Sequence, residues 1–216
     1  MRINKYLAQN LNISRRKADI LIENKEIKIN GKEALLGQYV KDADVLKYKN
    51  KIIRRISYHT YYKFYKPKNY IVSRNIQGKT NTIYELISNK NLKYSGRLDK
   101  DSEGLMLLST DGKWLNDYSH PSKNVYKKYL IDTNGEAIDL NIFKTSIKDK
   151  KEILKIYSII EKSKNQYYVT LKTGKNREIR RIFEYNNIKI NNLKRLSIGE
   201  HKLGNMKIGE LKEINL

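Results

Sequence analysis

Cysteine is absent from the 216 residues, which removes disulfide frameworks, thiolate metal sites and cysteine nucleophiles from consideration. An oxidising compartment is therefore not indicated. Histidine is scarce: His59, His120 and His201 stand far apart with no metal-ligand spacing, so zinc chemistry is not expected. No apolar run approaches the roughly 18 residues of a membrane-spanning helix, and the N-terminus has no hydrophobic signal core. Residues 1–18 lack acids and contain Ser, Lys and Arg, a composition shared with organellar transit peptides, but their apolar spacing reads as folded structure. Acids are the remaining shortage. Only 23 Asp and Glu face 45 Lys and Arg, a formal net charge of +22. Such an excess calls for an anionic partner, and nucleic acid is the one that a field of this sign attracts without regard to sequence. Part of the lysine is what an AT-rich gene encodes, so the placement of the cations carries more weight than their total.

At the N-terminus, Ile3, Tyr6, Leu7 and Leu11 recur at three-to-four spacing and predict a short helix. Ser14 then stands as N-cap for a second helix over 15–24, with Ala18, Leu21 and Ile22 on its apolar face. Arg15, Arg16 and Lys17 occupy the first turn, where cations oppose the helix dipole. Together with the free backbone donors they make a phosphate-binding helix start; a solvated basic face is the plainer alternative. Ile27 and Ile29 flank Lys28 and run into Asn30-Gly31, a strong hairpin signal. These elements resemble the alpha-L RNA-binding domain typified by ribosomal protein S-four, over residues 1–48. That resemblance implies RNA contacts from Arg2, Arg15, Arg16, Lys17 and Lys28. The cationic stretch over 49–57 reads as a linker, and a second domain is expected over 58–216.

The second domain opens on the aromatic strand Tyr61-Tyr62-Lys63-Phe64-Tyr65, ended by the turn at Pro67. Residues 71–73 predict a resumed strand, and 83–87 a short helix opened by Thr80 or Thr82. Leu105 to Leu108 reads as a fully buried strand, and Asp111-Gly112 turns into a helix through Trp114, Leu115 and Tyr118. Further strands are expected over 126–132, 153–161 and 167–172, and around Leu203 and Leu211. Strands outnumber helices, so the expected fold is α+β: a mixed, largely antiparallel sheet flanked by helices, with the small RNA-binding module in front.

The run from Gly96 to Gly112, GRLDKDSEGLMLLSTDG, aims Asp99 from a glycine-bracketed loop ahead of the buried strand. Asp99, Asp101, Glu103 and Gly104 imitate the opening of a calcium loop, but its twelfth position is Thr110 where a bidentate glutamate is needed. Asp99 with Asp101 or Glu103 could serve as a glycosidase pair, although such carboxyls usually come from separate elements. The acids could also simply cap a turn. The whole motif closely resembles the catalytic loop of RNA pseudouridine synthases of the RsuA/RluB type. Lys66-Pro67-Lys68, His120-Pro121 with Lys127-Lys128-Tyr129-Leu130, Gly174 to Ile182 (GKNREIRRI), Leu193-Lys194-Arg195-Leu196, Ile198-Gly199 and Leu203-Gly204 follow in the family's order, so the resemblance spans essentially the whole chain.

The resemblance implies a cofactor-independent isomerase, without metal, that flips one uridine out of ribosomal RNA and converts it to pseudouridine. It makes Asp99 the essential carboxylate, attacking C1′ or removing a sugar proton. Arg180 is expected to pair with Asp99 and keep it ionised, and Tyr129 to stack on the uracil. Arg97 is expected beside the flanking RNA, with Lys127, Arg177 and Arg181 as phosphate contacts. Glu178 stands where the family commonly has glutamine, which predicts competition for Arg180. Asn69 replaces a common glycine and Asn81 a frequent proline. A monomer acting on folded rRNA or a pre-ribosomal particle, in a bacterial-type cytoplasm, is the expected setting. The segment from Gly199 to Leu216 leans toward the large-subunit subgroup. The rival class is a non-catalytic RNA-binding or ribosome-assembly protein that keeps the fold.

Overall fold

The computed structural model describes residues 1–55, 58–75, 78–135 and 138–215. These divide into two compact units, residues 1–59 with 110–112, and residues 60–109 with 113–216. Among the described residues no helix is long and apolar enough to cross a membrane.

In the first unit, α1 (Ile3–Asn10) and α2 (Arg15–Glu23) pack on a small antiparallel sheet of β1 (Ile27–Ile29), β2 (Lys32–Glu33), β3 (Leu46–Tyr48) and β4 (Lys51–Ile52), in the order β2-β1-β3-β4. Ser14 caps α2 as expected: its Oγ accepts from the Lys17 N–H at 3.0 Å. Ile3, Tyr6 and Leu7 meet Ala18, Leu21, Ile22, Ile27, Ile29 and Leu46 in one core, while Leu11 is only partly buried against it. Asn30 (φ 50°) and Gly31 (φ 85°) both adopt the left-handed conformation that a two-residue hairpin of matching twist requires.

The linker expected over 49–57 is corrected at its start. Lys49 (φ 48°) and Asn50 (φ 63°) form a second tight turn, β4 pairs with β3, and Ile53 is buried in the core. The turn lacks glycine, so its signal was weak. Residues 56 and 57 of that stretch lie outside the described residues.

The second unit is built on β5 (Tyr61–Lys66), β6 (Lys93–Ser95), β7 (Glu103–Ser109), β8 (Lys127–Thr133), β11 (Ser158–Ser163), β12 (Gln166–Leu171), β13 (Ile190–Ile198), β14 (His201–Lys202) and β15 (Leu211–Glu213). The main path runs β11-β12-β8-β13-β7-β5-β15, with β14 on β13 and β6 on β7. Among the strands of the described residues only β13 and β7 pair in parallel, so the sheet is mixed and largely antiparallel. A separate hairpin joins β9 (Ile147–Asp149) to β10 (Glu152–Leu154).

Every residue of β7 is buried because both faces of the sheet are covered. Met106 and Leu108 pack with Phe64, Tyr129, Ile131 and Val169, and with Ile179, Ile182 and Phe183 of helix α4 (Glu178–Tyr185). Leu105 and Leu107 pack on the other side with Tyr65, Ile198, Leu203 and Leu115 of helix α3 (Gly112–Ser119).

Three local expectations change. The strand over 153–161 is two strands, broken where Leu154 and Ile156 turn into the core. Residues 71–73 give only one bridge, Ile71 to Thr82. The helix over 83–87 is a 3-10 turn, Ile83–Glu85, opened by Thr82, whose N–H donates to Glu85 Oε1 at 2.8 Å.

Candidate active site

The loop after β6 and the start of β7 carry Asp99 to the wall of a cavity of about 590 Å³. The cavity is lined by Arg97, Asp99, Lys127, Tyr129, Arg177, Arg180 and Arg195, so the residues expected in the active site are brought together with the exception of Arg181. Tyr129 sits on β8 with its ring buried in the wall, and Arg97 is exposed at the rim.

Two features shape the loop. Lys66, fully buried at the end of β5, donates from Nζ to the carbonyls of Pro67 (2.9 Å), Asp99 (2.9 Å) and Ser102 (2.7 Å). Three carbonyl acceptors use all three ammonium donors. Burial pushes this ammonium down to about 8, against the opposing pull of Asp101 and Asp99. Gly104 is the second feature. Its φ is +114°, and a Cβ there would lie 2.4 Å from the Arg195 carbonyl oxygen and 2.5 Å from its nitrogen. No larger residue permits β13 to approach β7 so closely.

The charge pairing differs from the sequence expectation. Arg180 does not pair with Asp99; its Nη2 lies 3.1 Å from Asp101 Oδ2 and donates to Ser102 Oγ at 3.1 Å. Arg177 takes the place beside Asp99, with Nη1 at 3.5 Å from Asp99 Oδ2 and 3.6 Å from Asp101 Oδ1. The two arginines are three residues apart and so lie on one face at the start of α4. Arg177 holds the N-cap position with φ 48°, which turns its side chain over the Asp99 loop. Asp101 therefore belongs to the charge network as the acid that both arginines share.

Glu178 does not compete for Arg180. Its carboxylate accepts from the Thr173 hydroxyl (2.7 Å) and the Lys175 N–H (3.0 Å), a favourable place for an acid in the first turn of α4. Arg181 is corrected as well. It leaves the cavity and pairs with Asp149 and Glu152, fastening the β9–β10 hairpin to α4. Glu103 is not a turn residue: it starts β7, buried, and accepts from the Tyr65 hydroxyl and the Asn192 amide, each at 3.0 Å. Lys127 lies within reach of the Thr173 carbonyl at 3.3 Å, and burial, reinforced by Arg195, pushes its ammonium down.

In the first unit, Arg15, Arg16 and Lys17 are exposed on the opening turn of α2, with Arg15 donating to Asn4 Oδ1 at 3.1 Å. Arg2 is exposed as the N-cap residue of α1, and Lys28 is exposed on β1 between two buried isoleucines.

The family description RNA pseudouridylate synthase matches residues 60–185, and that of the S4 domain matches residues 1–46. The chain belongs to the RNA pseudouridylate synthase family. It is 35% identical, over 225 positions covering 100% of this chain and 90% of the relative, to a Borreliella burgdorferi protein described as an uncharacterized RNA pseudouridine synthase. The dual-specificity RNA pseudouridine synthase RluF of Salmonella typhi is 30% identical over 218 positions, 99% of this chain and 75% of that one. A crystal structure of a pseudouridylate synthase shares the fold with a TM-score of 0.70 at 24% identity, covering 100% of this chain and 96% of that one.

In this RNA pseudouridine synthase, sequence reasoning gave no role to two buried cations. Lys66 was visible only as part of a Lys-Pro turn, and Arg195 only as part of a closing strand. Strand alternation was the available signal for Arg195, since it shares a face of β13 with the buried Leu193.

Proposed function

We propose that this synthase converts one uridine of ribosomal RNA to pseudouridine, with Asp99 as the carboxylate that acts on the sugar. The observation that carries the reading is the half-exposed Asp99 carboxylate, set in a cavity whose other charged groups are mostly cations and whose wall holds the Tyr129 ring. The reaction breaks the bond from N1 to C1′, turns the uracil and joins C5 to C1′, with no net redox change. It needs no cofactor or metal. Attack of the carboxylate on C1′ and removal of a sugar proton both use the Asp99 carboxylate, and Arg177 lies beside it with Nη1 3.5 Å from Oδ2. Arg180, through Asp101 and Ser102, holds the loop.

To reach the cavity the uridine must leave its stack, at a cost of a few kcal/mol. Stacking on Tyr129 offsets part of that, and Arg97 at the rim and Lys127 deeper in the cavity wall meet the flanking phosphates or the space the base vacates. The first unit grips folded RNA through Arg2, Lys28 and the basic start of α2, where backbone donors and cations converge. Residues 1–55 form this RNA-binding module and the catalytic domain begins near Thr60. Large-subunit rRNA is favoured over small-subunit rRNA.

Mapping pseudouridine in rRNA from cells with and without the gene, complemented by wild type or Asp99→Asn, tests the reading. One site should vanish on deletion, return with wild type and stay absent with Asp99→Asn. If no site vanishes, the chain is a non-catalytic RNA-binding protein in that host; if Asp99→Asn restores the site, Asp99 is not the catalyst.

A further inference from the structure

Sheet register places four residues in one row that runs under the cavity wall, of which Arg195 and Tyr129 line the cavity. Lys66 of β5 lies opposite Gly104 of β7, Gly104 opposite Arg195 of β13, and Arg195 opposite Tyr129 of β8. Residues so paired stand about 5 Å apart on the same face. Arg195 is thus the direct neighbour of the tyrosine ring expected to stack on the base, and the missing side chain at Gly104 leaves it room.

Arg195 is 3% exposed, yet its guanidinium is only partly used. Nε donates to the Leu105 carbonyl at 2.7 Å, while Nη2 is buried and has no hydrogen-bond partner among the described residues. A buried donor without a partner forfeits its hydration, and the loss is larger when it carries charge. No carboxylate lies within ion-pair distance of Arg195 among the described residues, unlike Arg177, Arg180 and Arg181. Two further cations crowd it: its charge disfavours the protonated forms of both Lys66 and Lys127. A fold that gathers two buried cations and the half-buried Lys127 around one unused donor is arranged to receive negative charge.

We propose that Arg195 binds the target uracil, donating from its unused Nη2 to a ring carbonyl oxygen and holding the base while it carries negative charge. This rests on the reading of the cavity as the uridine site. When the N1 to C1′ bond breaks, both electrons stay with the ring and the charge spreads over N1 and the carbonyl oxygens, while the sugar carbon is left to Asp99. C5 then bonds to C1′ as the Asp99 carboxylate is released. The C5 proton passes to solvent and N1 takes up one proton, so the product is a neutral isomer with no net proton change. Arg195 keeps its own protons throughout and acts as a fixed donor aimed at charge that develops in the reaction.

The test uses the full-length protein and rRNA extracted from cells lacking the gene, with pseudouridine at the mapped site followed under single turnover. Arg195→Met should lower the rate at saturating enzyme by about 100-fold. The enzyme concentration giving half-saturation should move by less than about threefold, since phosphate contacts dominate affinity. The unfolding midpoint should not fall, because an unpaired buried charge has been removed. A second measurement uses target RNAs carrying one 2-thiouridine or one 4-thiouridine. The thiocarbonyl that meets Arg195 should slow wild type and have little further effect on Arg195→Met, which also identifies the oxygen. An active wild type beside an Arg195→Met of equal rate overturns this inference alone, as does a rate loss matched by a lower unfolding midpoint with thio effects unchanged. A wild type that makes no pseudouridine overturns the reading of the site and this inference with it.

Discussion

Replacing Lys66 with methionine should release the Asp99 loop from the end of β5 while leaving the sheet in place. The ammonium holds three backbone carbonyls, two of them in the loop itself. Each charge-assisted bond is worth about 1.5–3 kcal/mol, so their gross loss is about 4–9 kcal/mol. Relief from burying the charge works the other way: a fall from 10.5 to about 8 corresponds to about 3 kcal/mol. The net cost to the ordered loop is about 1–6 kcal/mol, and a value near 3 makes the open loop about 100-fold more populated.

Pseudouridine formation should accordingly fall about 10- to 100-fold, and amide exchange over residues 96–104 should quicken, with β8 and β12 unaffected. The same lysine gives a pH signature. Below pH 8 it is charged in the folded and unfolded chain alike. Between about 8 and 10.5 the unfolded chain holds a proton that the folded chain has released, so this group's contribution to stability rises with pH across that window. Activity moves oppositely, since a neutral amine cannot serve three carbonyls. The wild-type rate should decline above pH 8, while stability measured against Lys66→Met improves. A variant with a rate within about twofold of wild type and unchanged loop exchange would refute the reasoning.

Gly104→Ala should destabilise the protein by about 3–5 kcal/mol in denaturant unfolding, because the Cβ meets the Arg195 backbone and the residue must keep a left-handed φ. Arg181→Ala should lower the denaturant unfolding midpoint through the missing pairs to Asp149 and Glu152, and leave RNA affinity in a filter-binding assay unchanged. Replacing Arg15, Arg16 and Lys17 together with alanine should weaken RNA binding and flatten its dependence on salt, by about 0.7–0.9 in the log–log slope for each phosphate no longer neutralised. An unchanged slope would mean that the start of α2 is only a solvated face. Truncation after residue 48 should expose the first unit's core, since it removes β4 and Ile53, whereas a cut after residue 55 should not; amide exchange in α1 and α2 separates the two.

Local signals made much of the fold legible. Apolar spacing predicts α1 and α2, the Ser14 cap marks the start of α2, Asn30-Gly31 places the first hairpin, and the uninterrupted apolar run gives a β7 buried on both faces. Each of these follows from preferences of a few consecutive residues. The Lys49-Asn50 hairpin was missed because it makes the same turn without glycine, and the strand break near Ile156 because burial there follows the core and not the two-residue period.

The sequence by itself determined that Asp99 stands in a glycine-bracketed loop ahead of the buried strand and that Arg177, Arg180 and Arg181 open one helix, since the motif order and the spacing are written along the chain. Only the tertiary structure decided which arginine meets which acid. Three cations within five residues differ in direction by a fraction of a helical turn, and their partners lie 29 to 79 residues away. The pitch and height of α4 against the loop turn Arg177 onto Asp99, Arg180 onto Asp101 and Arg181 outward to the hairpin. Packing likewise made Lys66 the tether of the loop and left one donor of Arg195 unused, because hydrogen-bond satisfaction in a buried site is a property of the assembled face and of no single segment.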